Sequence, residues 1–520
     1  MTTARPTTLP LDGDNFTLDD AEAILAERID RLSLEEAARE RVVQSRRCVT
    51  DLLAKGATIY GVNTGFGKLS GTRIAAEDTL ALQENLLRSH AVGRGRLLGR
   101  GVSRLALALR VQALAKGLSG VTPALLQALI DLFNAGIVPA IPCQGSVGAS
   151  GDLAPLAHLA LLLVGEGRAV VRSNGGVRRT ISGKRALRKA GLLPYRLQAK
   201  EGLALINGTQ ISTAILADAL VRARRLARTA DVIGAMTVEA TKSSQRPFDA
   251  RIQAARPHPG QATCAANLRR LLSDSEVMRS HADCSKVQDA YSMRCMPQVH
   301  GTFRDALAYV TGVVVREMNS ATDNPLVFAD SAEVVSGGNF HAQPIALAAD
   351  VLGAAAADMA SISERRVENL VNPDLSGLPG FLTPQPGLNS GMMIVQVLAA
   401  ALVSEAKANA VPASVDSIPT SANREDHVSM ATLAARKARR AIGLLSRVLA
   451  CEALCAGQGI DFHRPLRPGR GVDGAYRHLR EHIPTLAGDR ALHRDLASVE
   501  RIVRAGSLLV AAEVECGPLE

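Results

Sequence analysis

Long stretches rich in Ala and Leu and poor in β-branched residues constrain the fold of this chain more than any other feature. Their apolar residues recur at helical spacing, so the sequence predicts a mainly α fold. Helices this apolar must pack mostly against other helices, because a helix with little polar surface has to be buried. The helices predicted in this way span residues 18–32, 105–115, 125–135, 202–233, 345–359, 395–408 and 431–456.

A hairpin and three irregular stretches interrupt the helical pattern. Residues 169–182 have strand character, and Asn174-Gly175 supplies a two-residue turn. The irregular stretches are rich in Gly, Asn or Pro, and long loops in a compact helical protein often carry function. They cover residues 59–73, 336–344 and 372–391.

Composition and charge exclude several classes of protein. The 8 cysteines form no CxxC pair, and neither they nor the histidines show metal-ligand spacing. We therefore expect inert thiols in a reducing compartment and no metal site. The net charge of +10 is spread out without an aromatic-interleaved basic patch, which argues against a nucleic-acid partner. The first residues lack the apolar core of a secretory signal, and long apolar runs carry charges or His, so we expect a cytoplasmic protein without a membrane partner.

The segment "GSVGASGDLAPLAH", from Gly145 to His158, places a Gly- and Ser-rich loop directly before a predicted helix. Asp152 suits the N-cap of this helix and Pro155 its first turn. The loop could be a plain tight turn or a phosphate-binding loop. The second interpretation is weak, because no Lys follows the glycines and no strand pattern precedes them.

Backbone cyclisation is a third interpretation of this loop. The amide nitrogen of Gly151 would attack the carbonyl carbon of Ala149, and Ser150 would lose its hydroxyl group. Gly151 has no side chain to block the attack, Ala149 is small, and Asp152 could move the protons. The product is an electrophile, and the adjacent helix N-terminus would stabilise negative charge that forms beside it.

The segment resembles the signature of the histidine and aromatic amino-acid ammonia-lyases, which use a 4-methylidene-imidazol-5-one group. Further motifs of the family match over most of the chain, and they occur in one order. They are "YGVNTGFGKL" from Tyr60, "SHAVG" from Ser89, "EGLALINGTQ" from Glu201, "VQDAYSMRCMPQVHG" from Val287, "TDNPLVF" from Thr322, "SGGNFHAQP" from Ser336 and "SANREDHVSM" from Ser421.

This resemblance implies a fold, an assembly and a cofactor. The expected fold is mainly α, with a long central helix bundle and a smaller N-terminal mixed segment. The segment would span residues 1–118 and carry the Tyr60 loop and His90, and the bundle domain would span residues 119–520. The family also implies a homotetramer with shared active sites. Its 4-methylidene-imidazol-5-one would form autocatalytically from Ala149, Ser150 and Gly151, without a metal.

The implied reaction removes ammonia from an α-amino acid and leaves an α,β-unsaturated acid. Tyr60 would remove the β-proton, and the Arg294 guanidinium would bind the substrate carboxylate. Asn207 and Gln288 would orient the carboxylate or the oxygen of the cyclised group, and Tyr291 and Phe340 would form the pocket walls. The resemblance thus gives catalytic roles to Tyr60, Ala149, Ser150, Gly151, Tyr291 and Glu425, and substrate-binding roles to His90, Asn207, Gln288, Arg294 and Phe340.

The side-chain end of the expected pocket indicates the substrate. The resemblance places His90 and Glu425 there, and both can hydrogen-bond an imidazole ring. The pair is the histidine type within the family, so we expect histidine degradation, with L-histidine converted to trans-urocanate and ammonia. Gln343 departs from the histidine-type pattern, which usually has Glu. A tyrosine or phenylalanine ammonia-lyase and an aminomutase therefore stay open, as does a helical scaffold without catalytic activity.

Overall fold

The computed structural model describes residues 7–172, 178–283 and 287–520, and most of them are helical. The chain forms two compact units, each assembled from separate parts of the sequence. The first comprises residues 1–218, 311–350 and 412–436, and the second comprises residues 219–310, 351–411 and 437–520. The division at residue 118, which follows the order of the chain, stays a prediction.

The α-helices are numbered in chain order. They are α1 (Leu18–Leu25), α2 (Glu36–Ala54), α3 (Thr79–His90), α4 (Arg100–Ala115), α5 (Pro123–Asn134), α6 (Leu153–Leu163), α7 (Gly183–Lys189), α8 (Glu201–Ile206), α9 (Gln210–Ala240), α10 (Ala250–Ala255), α11 (Pro259–Leu271), α12 (Glu276–Arg279), α13 (Tyr291–Arg294), α14 (Met296–Met318), α15 (Gln343–Val371), α16 (Pro373–Ser376), α17 (Met393–Asn409), α18 (Ala431–Asp461), α19 (Arg470–His482), α20 (His493–Ala505) and α21 (Ser507–Cys516).

In the described part of the first unit, short strands form four small sheets. Strands β1 and β2 are parallel, whereas β3 pairs with β5, β4 with β6, β6 with β7 and β8 with β9 in antiparallel fashion. The β6–β7 pair confirms the predicted hairpin, and its Asn174-Gly175 turn lies outside the described residues. The strands are β1 (Thr8–Leu11), β2 (Arg31–Leu34), β3 (Arg94–Leu97), β4 (Val138–Pro139), β5 (Pro142–Gln144), β6 (Arg168–Arg172), β7 (Arg178–Ser182), β8 (Leu326–Phe328) and β9 (Glu333–Val335).

Two of the predicted helices end or break where the sequence pattern continues. Helix α1 ends at Leu25 and not at residue 32, because Glu27 takes a left-handed conformation (φ +57°) and residues 31–34 pair with β1. The helix predicted over residues 202–233 is divided into α8 and α9 by a turn at Asn207 and Gly208. This turn faces the tripeptide loop, so the break is part of the candidate site described below.

Helix α4 forms the centre of the first unit. Every residue from Val102 to Ala115 is buried, and α1, α2 and α5 pack against it. Helices α3 and α8 pack against α6, the helix that follows the tripeptide loop. Helix α6 is buried on most of its sides, since Leu156, Leu159, Leu162 and Leu163 are all buried. The helix is thus held from several sides, and the loop at its N-terminus is anchored to the core.

Buried polar bonds connect long helices in the second unit. Glu452 on α18 accepts hydrogen bonds from Thr237 on α9 (2.8 Å) and from Ser363 on α15 (2.6 Å). The Arg366 guanidinium, also on α15, donates to both oxygens of the same carboxylate at 2.6 and 2.9 Å. A buried carboxylate with this many donors fixes the register of the helices, because losing one partner would leave a buried charge unpaired.

Helices α15 and α18 are long and apolar enough to cross a membrane by length and composition alone. In their most apolar windows, 61% of α15 and 89% of α18 is buried inside the protein. Core helices pass the same test, so these two helices are weak evidence for a membrane location. The expectation that no membrane is involved stays a prediction.

Candidate active site

The loop between β5 and α6 carries Ala149, Ser150 and Gly151 in the first unit. Gly151 has φ +72°, and a Cβ atom on it would collide with the backbone of Gly208. The two glycines form an isolated parallel bridge, and the amide of Asp152 donates to the Gly208 carbonyl at 2.7 Å. Position 151 therefore requires glycine for its backbone conformation and for the close approach of a second chain segment.

Asp152 occupies the N-cap position of α6, as predicted, but its carboxylate makes no capping bond. It accepts hydrogen bonds from Ser212 (backbone N at 2.8 Å and Oγ at 2.9 Å), Thr432 Oγ1 (2.6 Å) and Ser146 Oγ (3.1 Å). Burial raises the pKa of Asp152, and these donors oppose the shift. The side chain ties the tripeptide loop to α9 and α18, and its raised pKa suits a group that exchanges protons.

A second carboxylate, that of the half-buried Glu317, lies within electrostatic range of Asp152. Glu317 Oε1 accepts a hydrogen bond from Thr209 Oγ1 at 2.7 Å. Burial and the negative charge of Asp152 both raise the pKa of Glu317. Two carboxyl groups with raised pKa values thus lie close to the turn that contacts Gly151.

Ser150 makes a direct hydrogen bond to Glu425. Its Oγ donates to Glu425 Oε1 at 2.7 Å, and the other carboxylate oxygen accepts from Thr420 Oγ1 (2.6 Å) and Ser421 Oγ (3.0 Å). The tight turn before Glu425 has left-handed backbone conformations at each of its residues 421–423. Such strain outside glycine is common at functional sites, and here it holds the carboxylate against the tripeptide.

His90, the last residue of α3, lies within electrostatic range of Glu425. Its Nδ1 donates to the Leu86 carbonyl at 2.8 Å, which leaves Nε2 as the acceptor in the neutral ring. Burial lowers the pKa of His90, and the charge of Glu425 and the bond to Leu86 oppose this shift. A carboxylate and a neutral imidazole acceptor thus lie within electrostatic range of each other, and their expected contact with substrate stays a prediction.

Tyr60 lies in the predicted irregular stretch, and its hydroxyl oxygen accepts a hydrogen bond from the Gly67 amide at 3.1 Å. The Phe66 ring packs edge-on against the Tyr60 ring, with 6.4 Å between the ring centroids. The 3-10 turn Gly67–Leu69 packs against the 3-10 turn Ser421–Asn423. The Tyr60 loop is therefore brought next to the loop that carries Glu425.

Asn207 and Phe340 belong to segments that contact the tripeptide loop. Asn207 ends α8, is buried, and donates from Nδ2 to the Asn324 carbonyl at 3.1 Å. Phe340 is half-buried two residues before Ala342, whose amide donates to the Gly148 carbonyl at 3.3 Å. Gln343, which departs from the histidine-type pattern, donates to the Ser414 carbonyl at 3.2 Å.

Three expected site residues belong to the second unit. Gln288, Tyr291 and Arg294 line a cavity of about 1060 Å³ there. Tyr291 is 71% exposed, and the Arg294 guanidinium lies 4.7 Å from the centre of its ring, a cation–π geometry. Their expected contact with substrate stays a prediction.

Two clusters among the described residues have metal-ligand chemistry. Asp231, Cys264 and His300 are buried, but Asp231 already bonds His300 (2.8 Å) and the guanidinium of Arg304 (2.8 Å). A guanidinium at this distance disfavours a cation, so we interpret the cluster as a structural network.

The second cluster corrects the sequence analysis, which found no metal-ligand spacing among the histidines. His478 and His482 lie four residues apart on α19, with Glu481 between them. Nε2 of His478 is buried and has no hydrogen-bond partner in the part of the chain that is described. A metal on Nδ1 would force the proton onto that buried nitrogen, which disfavours binding.

The sequence did not indicate the residues that contact Asp152 or the turn beside the tripeptide. Ser212, Thr432 and Glu317 have ordinary polar types in helical stretches, and Arg110 follows the apolar run of residues 105–109 in α4. An Arg inside a predicted apolar helix, such as Arg110 within residues 105–115, is the one signal that could have found any of them.

Comparisons with known proteins agree with this geometry. Residues 16–481 match the model of the aromatic amino acid lyase family. The chain is 54% identical to a histidine ammonia-lyase from Anaeromyxobacter dehalogenans over 505 residues, covering 96% of this chain and 99% of that protein. It resembles the crystal structure of histidine ammonia-lyase from Trypanosoma cruzi, with a TM-score of 0.90, 42% identity and coverage of 98% and 95%. It also resembles tyrosine aminomutase from Streptomyces globisporus, with a TM-score of 0.92, 35% identity and coverage of 99% and 100%.

Proposed function

Because the chain belongs to the aromatic amino acid lyase family, and is thus a carbon–nitrogen lyase, we propose that it removes ammonia from L-histidine to give trans-urocanate. The observation that carries this proposal is the contact between Ser150 and Glu425, with His90 beside them. It combines a tripeptide suited to cyclisation with two groups suited to an imidazole ring. A cytoplasmic location stays a prediction.

The residues of the loop fit 4-methylidene-imidazol-5-one. Gly151 has no room for a side chain, and Ala149 is small and 5% exposed. In the cyclisation, the Gly151 nitrogen bonds to the Ala149 carbonyl carbon. The first water takes the Ala149 oxygen with the protons of the Gly151 and Ser150 nitrogens, and the second takes the Ser150 hydroxyl with the proton from its Cα. Asp152, buried and hydrogen-bonded next to the loop, is placed to relay these protons.

The completed group supplies an electrophile that makes the substrate amine a better leaving group. The residues of the chain carry out the rest of the reaction. Tyr60 accepts the β-proton, and the Gly67 amide, which donates to its oxygen, fixes the position of the phenol group. The Arg294 guanidinium binds the carboxylate in bidentate fashion, while Asn207 and Gln288 orient the substrate.

Specificity for the amino acid arises at the side-chain end of the substrate, where the imidazole ring lies. Glu425 accepts a hydrogen bond from one imidazole N–H, and His90 Nε2, the acceptor of its neutral ring, would accept from the second N–H of a protonated substrate ring. Phe340 and Tyr291 pack against the ring. A phenyl ring in this place would offer the Glu425 carboxylate no N–H donor, which forfeits a charge-assisted hydrogen bond worth about 1.5–3 kcal/mol.

The exposed position of Tyr291 supports a homotetramer in which neighbouring chains complete each site. A pocket-wall residue that is 71% exposed in one chain has to be covered when the pocket forms. In this proposal Tyr291 and Arg294 enter the site from a neighbouring chain.

Intact mass and product formation test the proposal together. We expect the wild-type protein to be lighter than its sequence by two waters and to release urocanate and ammonia from L-histidine. Ser150→Ala should lose both properties, because no hydroxyl remains to be eliminated. Ser103→Ala is the matched control, since Ser103 is buried on α4 and should leave both properties unchanged. A wild-type mass equal to that of the unmodified sequence would refute the self-made group.

The likeness to a tyrosine aminomutase supports a second candidate, in which the ammonia returns to the β-carbon. The two candidates share every step up to the loss of ammonia. Incubation with L-tyrosine distinguishes them, because an aminomutase accumulates a β-amino acid, whereas the proposed lyase accumulates none.

A further inference from the structure

A buried charged cluster lies behind the turn that contacts the tripeptide, and the proposed function leaves it without a role. Arg110 on α4 and Lys200 before α8 are both 0% exposed, and Asp323 is 1% exposed. Lys200 Nζ donates to Asp323 Oδ2 at 2.7 Å, and Lys200 itself takes a left-handed conformation with φ +78°. Lys200 thus pairs with the Asp323 carboxylate, and Arg110 lies within electrostatic range of it in the interior of the first unit.

The buried Arg110 guanidinium makes few hydrogen bonds for a residue with a purely structural role. Its Nη1 donates to the Asn207 carbonyl at 2.8 Å, but Nε and Nη2 are buried and have no hydrogen-bond partner among the described residues. Burial lowers the pKa of Arg110 to about 10, which reflects the cost of keeping this guanidinium in the interior. An apolar side chain of the same length would avoid that cost, so the arginine requires a reason beyond filling space.

The position of the guanidinium supplies this reason. A Cβ atom on Gly208 would lie 2.7 Å from Arg110 Nη1, so Arg110 contacts the turn on one side. On the other side the Gly208 backbone lies against Gly151, and its carbonyl accepts the Asp152 amide at 2.7 Å. The Asn207-Gly208 peptide is therefore held between Arg110 and the tripeptide.

We infer that Arg110 is a positioning residue for the backbone cyclisation of Ala149, Ser150 and Gly151. Its hydrogen bond to the Asn207 carbonyl fixes Gly208, and Gly208 holds Gly151 in the left-handed conformation from which its nitrogen attacks. Lys200 and Asp323 anchor the start of α8 and so the same turn. This inference rests on the proposed function, because it assumes that the tripeptide cyclises.

Intact mass of purified, folded protein measures this role independently of turnover. Arg110→Met removes the donors and the charge at similar length, whereas Arg110→Lys keeps one cationic donor. Arg104→Met is the matched control. Arg104 is on the same helix, is 5% exposed, and donates to a backbone carbonyl, that of Ile29 at 2.9 Å. Thermal unfolding reports the stability of each variant.

We expect the dehydrated fraction to fall by about tenfold or more in Arg110→Met, as for the loss of one charge-assisted hydrogen bond. Arg110→Lys should recover part of the dehydrated fraction. Arg104→Met should be fully dehydrated even if its melting temperature falls as far as that of Arg110→Met.

Full dehydration of Arg110→Met would overturn the inference. An equal fall of the dehydrated fraction in Arg104→Met would also overturn it. Failure of both Arg110 variants to fold while Arg104→Met folds would also overturn it, since Arg110 would then serve folding. A wild-type protein without dehydration would instead refute the proposed function, so the two failures are distinguishable.

Discussion

Replacing Glu425 with Gln tests the role of the negative charge at the end of the proposed site that binds the substrate side chain. The amide has nearly the shape of the carboxylate. Its oxygen can still accept from Thr420 and Ser421, and the Ser150 hydroxyl that now donates to Glu425 is lost in the proposed cyclisation. The local turn is thus retained, and we expect a melting temperature close to that of the wild type.

The loss in catalysis follows from the bond that the amide weakens. In the proposed complex, Glu425 makes a charge-assisted hydrogen bond to the imidazole N–H of the substrate, and such a bond is worth about 1.5–3 kcal/mol. Its loss lowers kcat/KM for L-histidine by about 10- to 100-fold. L-tyrosine has no imidazole N–H, so its turnover should not fall by the same factor.

The assay compares initial rates of urocanate and coumarate formation for wild type, Glu425→Gln and Gln343→Glu. Gln343 binds the Ser414 carbonyl, so Gln343→Glu should change histidine turnover little. Intact mass checks that Glu425→Gln remains dehydrated, because Glu425 also contacts Ser150. Histidine turnover by a dehydrated Glu425→Gln within about twofold of wild type, or an equal loss for both substrates, would refute the assigned role.

Three further predictions concern the tripeptide, the assembly and stability. Gly151→Ala should give folded protein without the loss of two waters, because its Cβ would collide with Gly208; complete dehydration by mass would contradict this. Mixed refolding of inactive Ser150→Ala and Arg294→Ala chains should restore some activity if sites are shared, and verified hybrids without activity would argue for self-contained sites. Burial raises the pKa of Glu239 to about 7 from its ordinary value of 4.5, so the folded protein keeps this proton longer than the unfolded chain. The stability that protonated Glu239 contributes is fully present at pH values below 4.5, the pKa of this group in the unfolded chain, and is lost as the pH rises to about 7. In urea unfolding near pH 8, Glu239→Gln should therefore be more stable than wild type by up to about 3 kcal/mol. An unchanged difference between the two proteins from about pH 4 to pH 8 would contradict this assignment.

Helical periodicity predicted most of the long helices, because apolar residues at helical spacing dominate those stretches. It failed at Asn207 and Gly208, where the chain leaves the helix to meet Gly151. Local propensity favours helix on both sides of this turn, and the contact that breaks the helix comes from a segment more than fifty residues earlier. The end of α1 was misplaced for a similar reason, since pairing with β1 redirects the chain.

Motifs predicted part of the candidate site, because its residues are unusual in their local sequence. In the structure Ser150 donates a hydrogen bond to Glu425, and His90 lies within electrostatic range of that carboxylate, while the roles given to these residues stay predictions. It also assigns Asp152 to a network with Ser212 and Thr432, which the N-cap pattern alone does not indicate. Those partners are distant in sequence and have common residue types, so only the folded chain identifies them.

The release of product from three amino acids tests the central claim most directly. Purified wild-type protein is incubated separately with L-histidine, L-tyrosine and L-phenylalanine at equal concentration, and the unsaturated acid and the ammonia are both measured. We predict that urocanate forms fastest and that ammonia appears in equal amount. Faster release of coumarate from L-tyrosine than of urocanate from L-histidine would contradict the assignment of histidine as the substrate.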